Sequence, residues 1–487
     1  MFEMDKNVRI AIIGAGPAGL SAAMYLEKKG YDNYVIYERN NRVGGKCYSP
    51  TFNGKRYEMG AIMGVPSYYA VHDVEEFAGV EHKGPCLYRK YKYPDGKPDY
   101  RWDTEDAMKS PMKFFFKHPG AALHLKKLQK QIKKFGEILA TKYKGYDVTG
   151  HIGVAQGKYD GFAVTPGREH VSGENPNLKD LTMPFKDFCE MNGVPLVQEV
   201  WIQPFTSFGY GFFDEIPAAY VLKYLDFQTM MNFVKINLWT WKDGTQSIFE
   251  ALNEHLKHKA VLNSNISKVV RGDKVTLTVN GKEEVFDKII ITAPLQIATE
   301  KNPMNNPFAV SLDKWLDVND EERALFSKID YERYDTQAFQ VEADKYPDVS
   351  YYIVDNMVPE RMPHVMVYYR RWTGEKDMPI VSYSLRHHKT FNGGKELPYE
   401  DSAKIISQDM KDLDCPIRVV DGKEQILTRF QSYYFPHVYS EDYAAGWYDK
   451  VEAMQGKNNT FYAGEIMSYG DMDETIEYSH DLVERFF

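Results

Sequence analysis

Three glycines, Gly14, Gly16 and Gly19, stand in a G-x-G-x-x-G spacing, and an acid, Glu38, follows nineteen residues after the third. These residue types at this spacing serve phosphate and ribose binding rather than acid–base or nucleophilic chemistry. Gly14 allows a tight turn, Gly16 lets backbone approach a pyrophosphate, and Gly19 lets a helix pack close on a strand. A helix opening at Pro17 and Ala18 turns unpaired N–H groups and a partial positive charge toward the phosphates. Glu38, with Arg39 beside it, accepts hydrogen bonds from ribose hydroxyls.

The elements that must position these residues are also present. An apolar run, residues 10–13, ends in glycine as a buried strand does. A helix continues through Ala22, Ala23 and Leu26, and a second apolar run, residues 34–37, delivers Glu38. This is a βαβ dinucleotide fingerprint. The pair Gly44-Gly45, followed by Lys46, adds what a nicotinamide fold does not need. Such a pair after the second strand brings backbone close to the ribityl and pyrophosphate of FAD. The stretch therefore reads as non-covalent FAD binding before NAD. Further on, Met59, Gly60, Ala61, Ile62 and Met63 form a small-residue segment that reaches a flavin edge, with an ordinary glycine-rich turn as the other open reading.

Bulk properties limit the alternatives. A chain of 487 residues holds two or three domains. Net charge is −9 and the pI about 5.9, which argues against a nucleic-acid partner. Cys47, Cys86, Cys189 and Cys415 are scattered, which gives no disulfide or metal framework and fits a cytoplasmic setting. The first residues contain no apolar signal region, and no run approaches the ~18 apolar residues of a membrane span.

Other stretches carry weaker signals. Arg89, in an alternating basic and aromatic strand, is either a solvated edge residue or a fork for a carboxylate. Residues 109–144, bounded by Lys109 and Lys144, carry ten lysines and one acid, Glu137. Leu125, Leu128, Ile132, Phe135 and Ile138 recur there at helical spacing, behind the aromatic residues Phe114, Phe115 and Phe116. This is either a cap helix with a solvated lysine face or a surface for transient contact with an anionic membrane. Residues 146–176 are glycine-rich and polar, a long excursion. Phe205, Phe208, Tyr210, Phe212 and Phe213 pack a core or line an apolar channel. Residues 261–270, 275–279 and 286–292 read as strands with a turn at Asn280-Gly281. Later strands are expected over 336–341, 365–372, 380–385 and 426–434. Near the end, Gly464 and Glu465 close a final strand, and a helix starting near Met472 and Asp473 aims N–H groups at a flavin edge.

Four separated blocks agree: the glycine fingerprint with Glu38, the Gly44-Gly45-Lys46 triplet, the Asp243-Gly244-Thr245-Gln246 helix start with the ITAPL strand at 291–295, and the Ala463-Gly464-Glu465 block. Together they resemble the flavin amine oxidase superfamily over essentially the whole chain. Segments such as RYEMGAIMGVPSY, PAAYVLKYLDF and NTFYAGEIMS are similar to its fatty acid isomerase branch, with the lysine-rich region matching least. The resemblance implies an α/β fold: a Rossmann-like FAD domain (1–72, 240–298, 455–487), a helical cap (105–202) and a sheet-containing substrate domain (73–104, 203–239, 299–454). It implies an FAD-dependent isomerase that turns a free polyunsaturated fatty acid, linoleic acid, into a conjugated diene. Hydride goes to flavin N5 and returns at another carbon, with no catalytic side chain and no metal. It also places Arg89 at the pocket mouth on the fatty acid carboxylate, Ile266 at adenine through backbone, and Glu465 near the ribityl chain. Glu474-Thr475 replaces the small pair usual in amine oxidases, which speaks against an amine oxidase site. A flavin oxidase or desaturase and a flavin-free lipid escort are the other readings.

Overall fold

The computed structural model describes residues 4–96, 101–102, 107, 109–143, 177–300, 302–304, 310–372, 375 and 378–487. The excursion at 146–176 and Lys144 lie outside them. Strand Ile10–Ile13, buried at all four residues, pairs in parallel with Tyr34–Tyr37 on one side and Lys288–Ile291 on the other. Thr460–Tyr462 adds a fourth parallel strand beyond Lys288–Ile291. Near-continuous apolar runs of this kind belong to parallel strands covered on both faces. The sheet thus gathers strands from the start, middle and end of the chain. Helix Pro17–Lys28 packs against the C-terminal helix Met472–Phe486, where Ser479 Oγ donates to the Ala18 carbonyl at 3.0 Å.

The middle strands differ in detail from expectation. The strand expected from residue 261 begins only at Ile266, in Ile266–Arg271. Val261 instead makes an isolated parallel bridge to Tyr37, and Asn263 takes a positive φ of 55° that breaks the extended run. The 286–292 run divides at Asp287, whose carboxylate accepts from the Arg9 N–H at 2.8 Å. Its two parts end an antiparallel meander at Lys282–Phe286 and begin the parallel strand Lys288–Ile291. The Asn280-Gly281 turn forms with positive φ at both residues, 49° and 79°, as a two-residue hairpin requires.

A second, six-stranded sheet runs in the order Ile426–His437, Asp330–Phe339, Ile380–Leu385, Val367–Tyr369, Ser350–Tyr352 and Arg89–Tyr91. Its pairs are antiparallel except the last, which is parallel. Asp330–Phe339 is buried along its whole length and starts six residues before the expected boundary. The lysine-rich stretch folds as helices Pro111–Lys117 and Pro119–Thr141. The second buries Leu128, Phe135 and Leu139, with the Phe135 ring 5.2 Å from Trp201. No helix among the described residues is long and apolar enough to cross a membrane.

Candidate cofactor and substrate site

A cavity of about 850 Å³ opens at the carboxyl ends of the parallel strands. Gly14, Gly16, Pro17, Ala18, Glu38, Arg39, Gly45, Lys46, Ala61, Ile266, Gly464, Glu465 and Met472 line it, which brings together most of the expected cofactor residues from five separate stretches. Gly14 sits at φ 108°, and a β-carbon on Gly19 would collide with its carbonyl oxygen, so helix and strand touch through glycine. Gly19, Gly44, Met59, Gly60, Ile62 and Asp473 do not line this cavity. They shape it from behind: Gly44 turns at φ 101°, and a β-carbon on Gly60 would collide with the Lys46 carbonyl.

Glu38 is buried and already accepts from the Ala15 N–H at 2.9 Å and the Asn40 N–H at 2.8 Å. With a third bond from Asn40 Nδ2 at 2.7 Å, these fix the carboxylate in place, and of its roughly four lone-pair sites the remaining one, on Oε2, is left for a ribose hydroxyl. Lys46 is ion-paired with Glu465, whose other oxygen accepts from the Phe435 N–H at 3.2 Å. The chain therefore spends Glu465 on joining the glycine-pair loop to the C-terminal block. Asp471 caps the C-terminal helix by accepting from the Glu474 N–H at 2.8 Å, and Asp471, Met472 and Thr475 face the cavity. The asp-capped helix start thus points its positive end at the cavity wall.

Sequence reasoning passed over several wall residues. Arg42 lies with its guanidinium 4.2 Å from the Tyr48 ring, and burial pushes its pKa down. Its place between Glu38 and Gly44 was a usable signal, since a cation there faces the same cleft. Trp315 and Tyr331 reach the cavity from distant elements with no local motif to announce them, while Tyr433 and Tyr434 come from the aromatic segment 433–437, whose sequence alone does not place it at the cavity.

The glycine cradle, the paired acid and two helix starts fit a flavin dinucleotide. Gly16 and Gly45, both in the cavity lining, present backbone without side chains where a pyrophosphate would lie. Cys47 lines the cavity, but burial pushes its thiol pKa well up, so it is a neutral thiol beside Met472.

At the inner end a smaller cavity of about 50 Å³ adjoins the first, and the two share Ala61, Tyr434, Asp471 and Met472. Its other walls are Gly60, Ile62, Met63, Tyr68, Phe208, Tyr210, Tyr224, Phe233 and Tyr334. Tyr210 and Tyr224 stack at 4.2 Å, and burial holds the phenols of Tyr210, Tyr224 and Tyr334 well above their ordinary pKa. Apart from Asp471, whose carboxylate accepts from the Glu474 N–H, the lining is aromatic and aliphatic surface with protonated phenols. Of the expected substrate residues, Met63, Phe208 and Tyr210 line this space. Phe205 lies in the aromatic core behind it, 5.4 Å from the Tyr210 ring. Arg89 is buried on strand Arg89–Tyr91, and its Nη2 donates at 3.2 Å to the carbonyl of Phe233, a wall residue.

The segment carrying Gly60 to Met63 is pinned from behind. Glu58 and Arg371 form a fully buried ion pair at 2.8 Å, and Glu58 also accepts from the Thr245 N–H at 3.1 Å. The helix start at Asp243-Gly244-Thr245-Gln246 is thereby tied to the cavity wall. Among the described residues, His72, Glu75 and His82 group closely enough to ligate a metal, but they line neither cavity, and Glu75 also accepts from Trp241 Nε1 at 2.5 Å.

Residues 17–333 match the family model described as flavin containing amine oxidoreductase. The crystal structure of a CLA-producing fatty acid isomerase from P. acnes is 42% identical over 100% of both chains, with a TM-score of 0.82. The polyenoic fatty acid isomerase of Ptilota filicina is 27% identical over 315 residues, 60% of this chain. That match spans 58% of the curated relative. Putrescine oxidase is similar in fold alone, at 13% identity over 98% of both chains and a TM-score of 0.62.

Proposed function

The chain belongs to the flavin containing amine oxidoreductase family, and from that premise we propose that it holds FAD non-covalently and isomerises a polyunsaturated fatty acid to a conjugated diene. The observation that carries this reading is the aromatic inner cavity that shares four wall residues with the dinucleotide cleft, in a chain 42% identical to a fatty acid isomerase. Bound flavin supplies a reversible hydride acceptor, which is what a redox-neutral double-bond shift needs. The residues at 1–72, 240–298 and 455–487 would hold it, with Gly16, Gly45 and the Pro17–Lys28 helix start at the pyrophosphate and Glu38 at the ribose. Neutral burial of Cys47 supports a non-covalent attachment, because the thiolate is the nucleophile.

What remains for the chain is to position substrate and exclude water. A carbon between two double bonds loses hydride to leave a cation spread over five carbons. The faces of Tyr210, Tyr224, Tyr334 and Phe208 stabilise such charge by ~0.5–2 kcal/mol each, and they offer no ionised oxygen to trap it. Arg89 lines neither cavity, but its guanidinium lies behind the wall residue Phe233, and in this reading it would fork the fatty acid carboxylate. Incubation of the flavin-bound protein with linoleate under anaerobic conditions tests the reading. Conjugated-diene absorbance without loss of flavin colour is expected. Peroxide formation in air with no diene would replace the isomerase by an oxidase, and a preparation that takes up no flavin would leave a lipid escort.

A further inference from the structure

We propose that helices Pro111–Lys117 and Pro119–Thr141 form a surface that docks the protein on an anionic lipid membrane. Docking goes beyond the isomerase reading and does not depend on it. The short helix has no buried residue. Met112 is 89% exposed and Phe116 91%, one turn apart on the same face, and Leu123 at the start of the next helix is 60% exposed. Met112 and Phe116 form an exposed apolar pair on one helix face, with Leu123 exposed at the start of the helix that follows.

Around that patch the charge is mostly positive, with Glu199 paired to His124 beside Leu123 as an acid at its edge. On the long helix Leu123, Lys127, Lys130 and Lys134 follow at i, i+4, i+7 and i+11, which places them on one face. Leu128, Phe135 and Leu139 occupy the opposite, buried face. Lys113, Lys117, Lys126, Lys127 and Lys130 form no ion pair with a described residue. Glu137, the one acid of the stretch, lies 3.8 Å from Lys133 at the far end of the helix. A protein of net charge −9 therefore keeps an unneutralised lysine face beside an apolar tip.

The chemistry favours lipid over nucleic acid or an acidic protein. All the cations here are lysines, point charges suited to a diffuse negative surface, with none of the arginine forks that read phosphates individually. The apolar tip has a use only where apolar medium lies just beneath the charge, as in an interfacial helix. Lys109, just before the short helix, sits with its Nζ 5.2 Å from the Tyr88 ring, next to Arg89. Read with the isomerase function, this puts the membrane-facing tip beside the strand that meets the fatty acid carboxylate.

Co-sedimentation of the flavin-bound full chain with phosphatidylcholine vesicles, with and without phosphatidylglycerol, tests the proposal without reference to activity. Binding to the anionic vesicles is expected to be tighter than to neutral ones by about tenfold or more and to weaken with salt. Lys127→Glu/Lys130→Glu/Lys134→Glu should weaken it on the order of 100-fold. Met112→Ser/Phe116→Ser should weaken it by about tenfold with an unchanged thermal midpoint, since neither side chain is buried. Equal or absent binding to the two vesicle types overturns the proposal. So does anionic binding that the Met112→Ser/Phe116→Ser variant leaves intact, which would mark a general polyanion site. Diene formation from dispersed linoleate, measured on the same variants, separates failure of docking from failure of the isomerase reading.

Discussion

Gly16 and Gly45 face each other so closely that a β-carbon on Gly45 would lie 3.1 Å from the α-carbon of Gly16. The two glycine motifs, twenty-nine residues apart, are thus the two sides of one cleft. Gly45 also sits at φ 55°, a conformation that costs an ordinary residue ~1 kcal/mol. Gly45→Val should push the loops apart and fill the space where backbone meets pyrophosphate. Flavin affinity, measured by FAD fluorescence titration of the deflavinated protein, should fall by about tenfold or more. Unchanged affinity would mean that the cleft is not the pyrophosphate site.

The βαβ unit was readable because its information is local: consecutive apolar runs, glycines at fixed spacing and an acid at the end of the second strand. The hairpin at Asn280-Gly281 was readable for the same reason. Strand Asp330–Phe339 was read six residues short because Asp330, Glu332, Arg333 and Asp335 interrupt the apolar pattern. Those side chains are buried, and Arg333 and Asp335 find their partners in Glu396 and Arg386, far along the chain. Tyr331 and Tyr434 reach the cavity through that sheet, so no local signal could place them. Glu465 carried a strong local motif, yet its pairing with Lys46 depends on a loop more than four hundred residues earlier.

Arg89→Gln should separate binding from chemistry. The side chain is buried and lines neither cavity, and the proposed role is to hold a carboxylate rather than to act on the reacting carbons. Loss of a charge-assisted fork costs ~2–3 kcal/mol. KM for free linoleate should therefore rise on the order of 30-fold or more, with kcat nearly unchanged. The methyl ester, which has no carboxylate, should be used equally by the wild type and the variant. A fall in kcat with constant KM would remove Arg89 from the substrate clamp.

Glu332 is wholly buried, and neither carboxyl oxygen has a hydrogen-bond partner among the described residues. Burial, with the neighbouring Glu215 carboxylate adding to it, raises its pKa well above the ordinary 4.5. Between 4.5 and its folded value the native protein keeps a proton that the unfolded chain has lost. Stability of the wild type therefore falls as pH rises across that window, by about 1.4 kcal/mol per pH unit from this group. Glu332→Gln removes the linkage. The variant should gain stability over the wild type on going from pH 5 to pH 7, read as a widening gap between their thermal midpoints. A gap independent of pH would mean that Glu332 is ionised in the folded state.

Lys223, 1% exposed, sits between two buried carboxylates of the C-terminal helix, 3.1 Å from Glu477 and ion-paired with Glu474. The two acids hold its pKa above the ordinary lysine value against the opposing effect of burial. Lys223→Met leaves two negative charges with no cation between them, a change that costs ~3–5 kcal/mol. The same helix begins at the cavity, so the damage should reach the cofactor site: a thermal midpoint lower by several degrees and faster loss of flavin are expected together. Lys223→Met/Glu474→Gln/Glu477→Gln, which removes both charges, should recover most of the midpoint, because the penalty comes from unpaired buried charge rather than from lost packing. Failure of that triple variant to recover while Lys223→Met alone is mild would show that the ion group does not hold the helix in place.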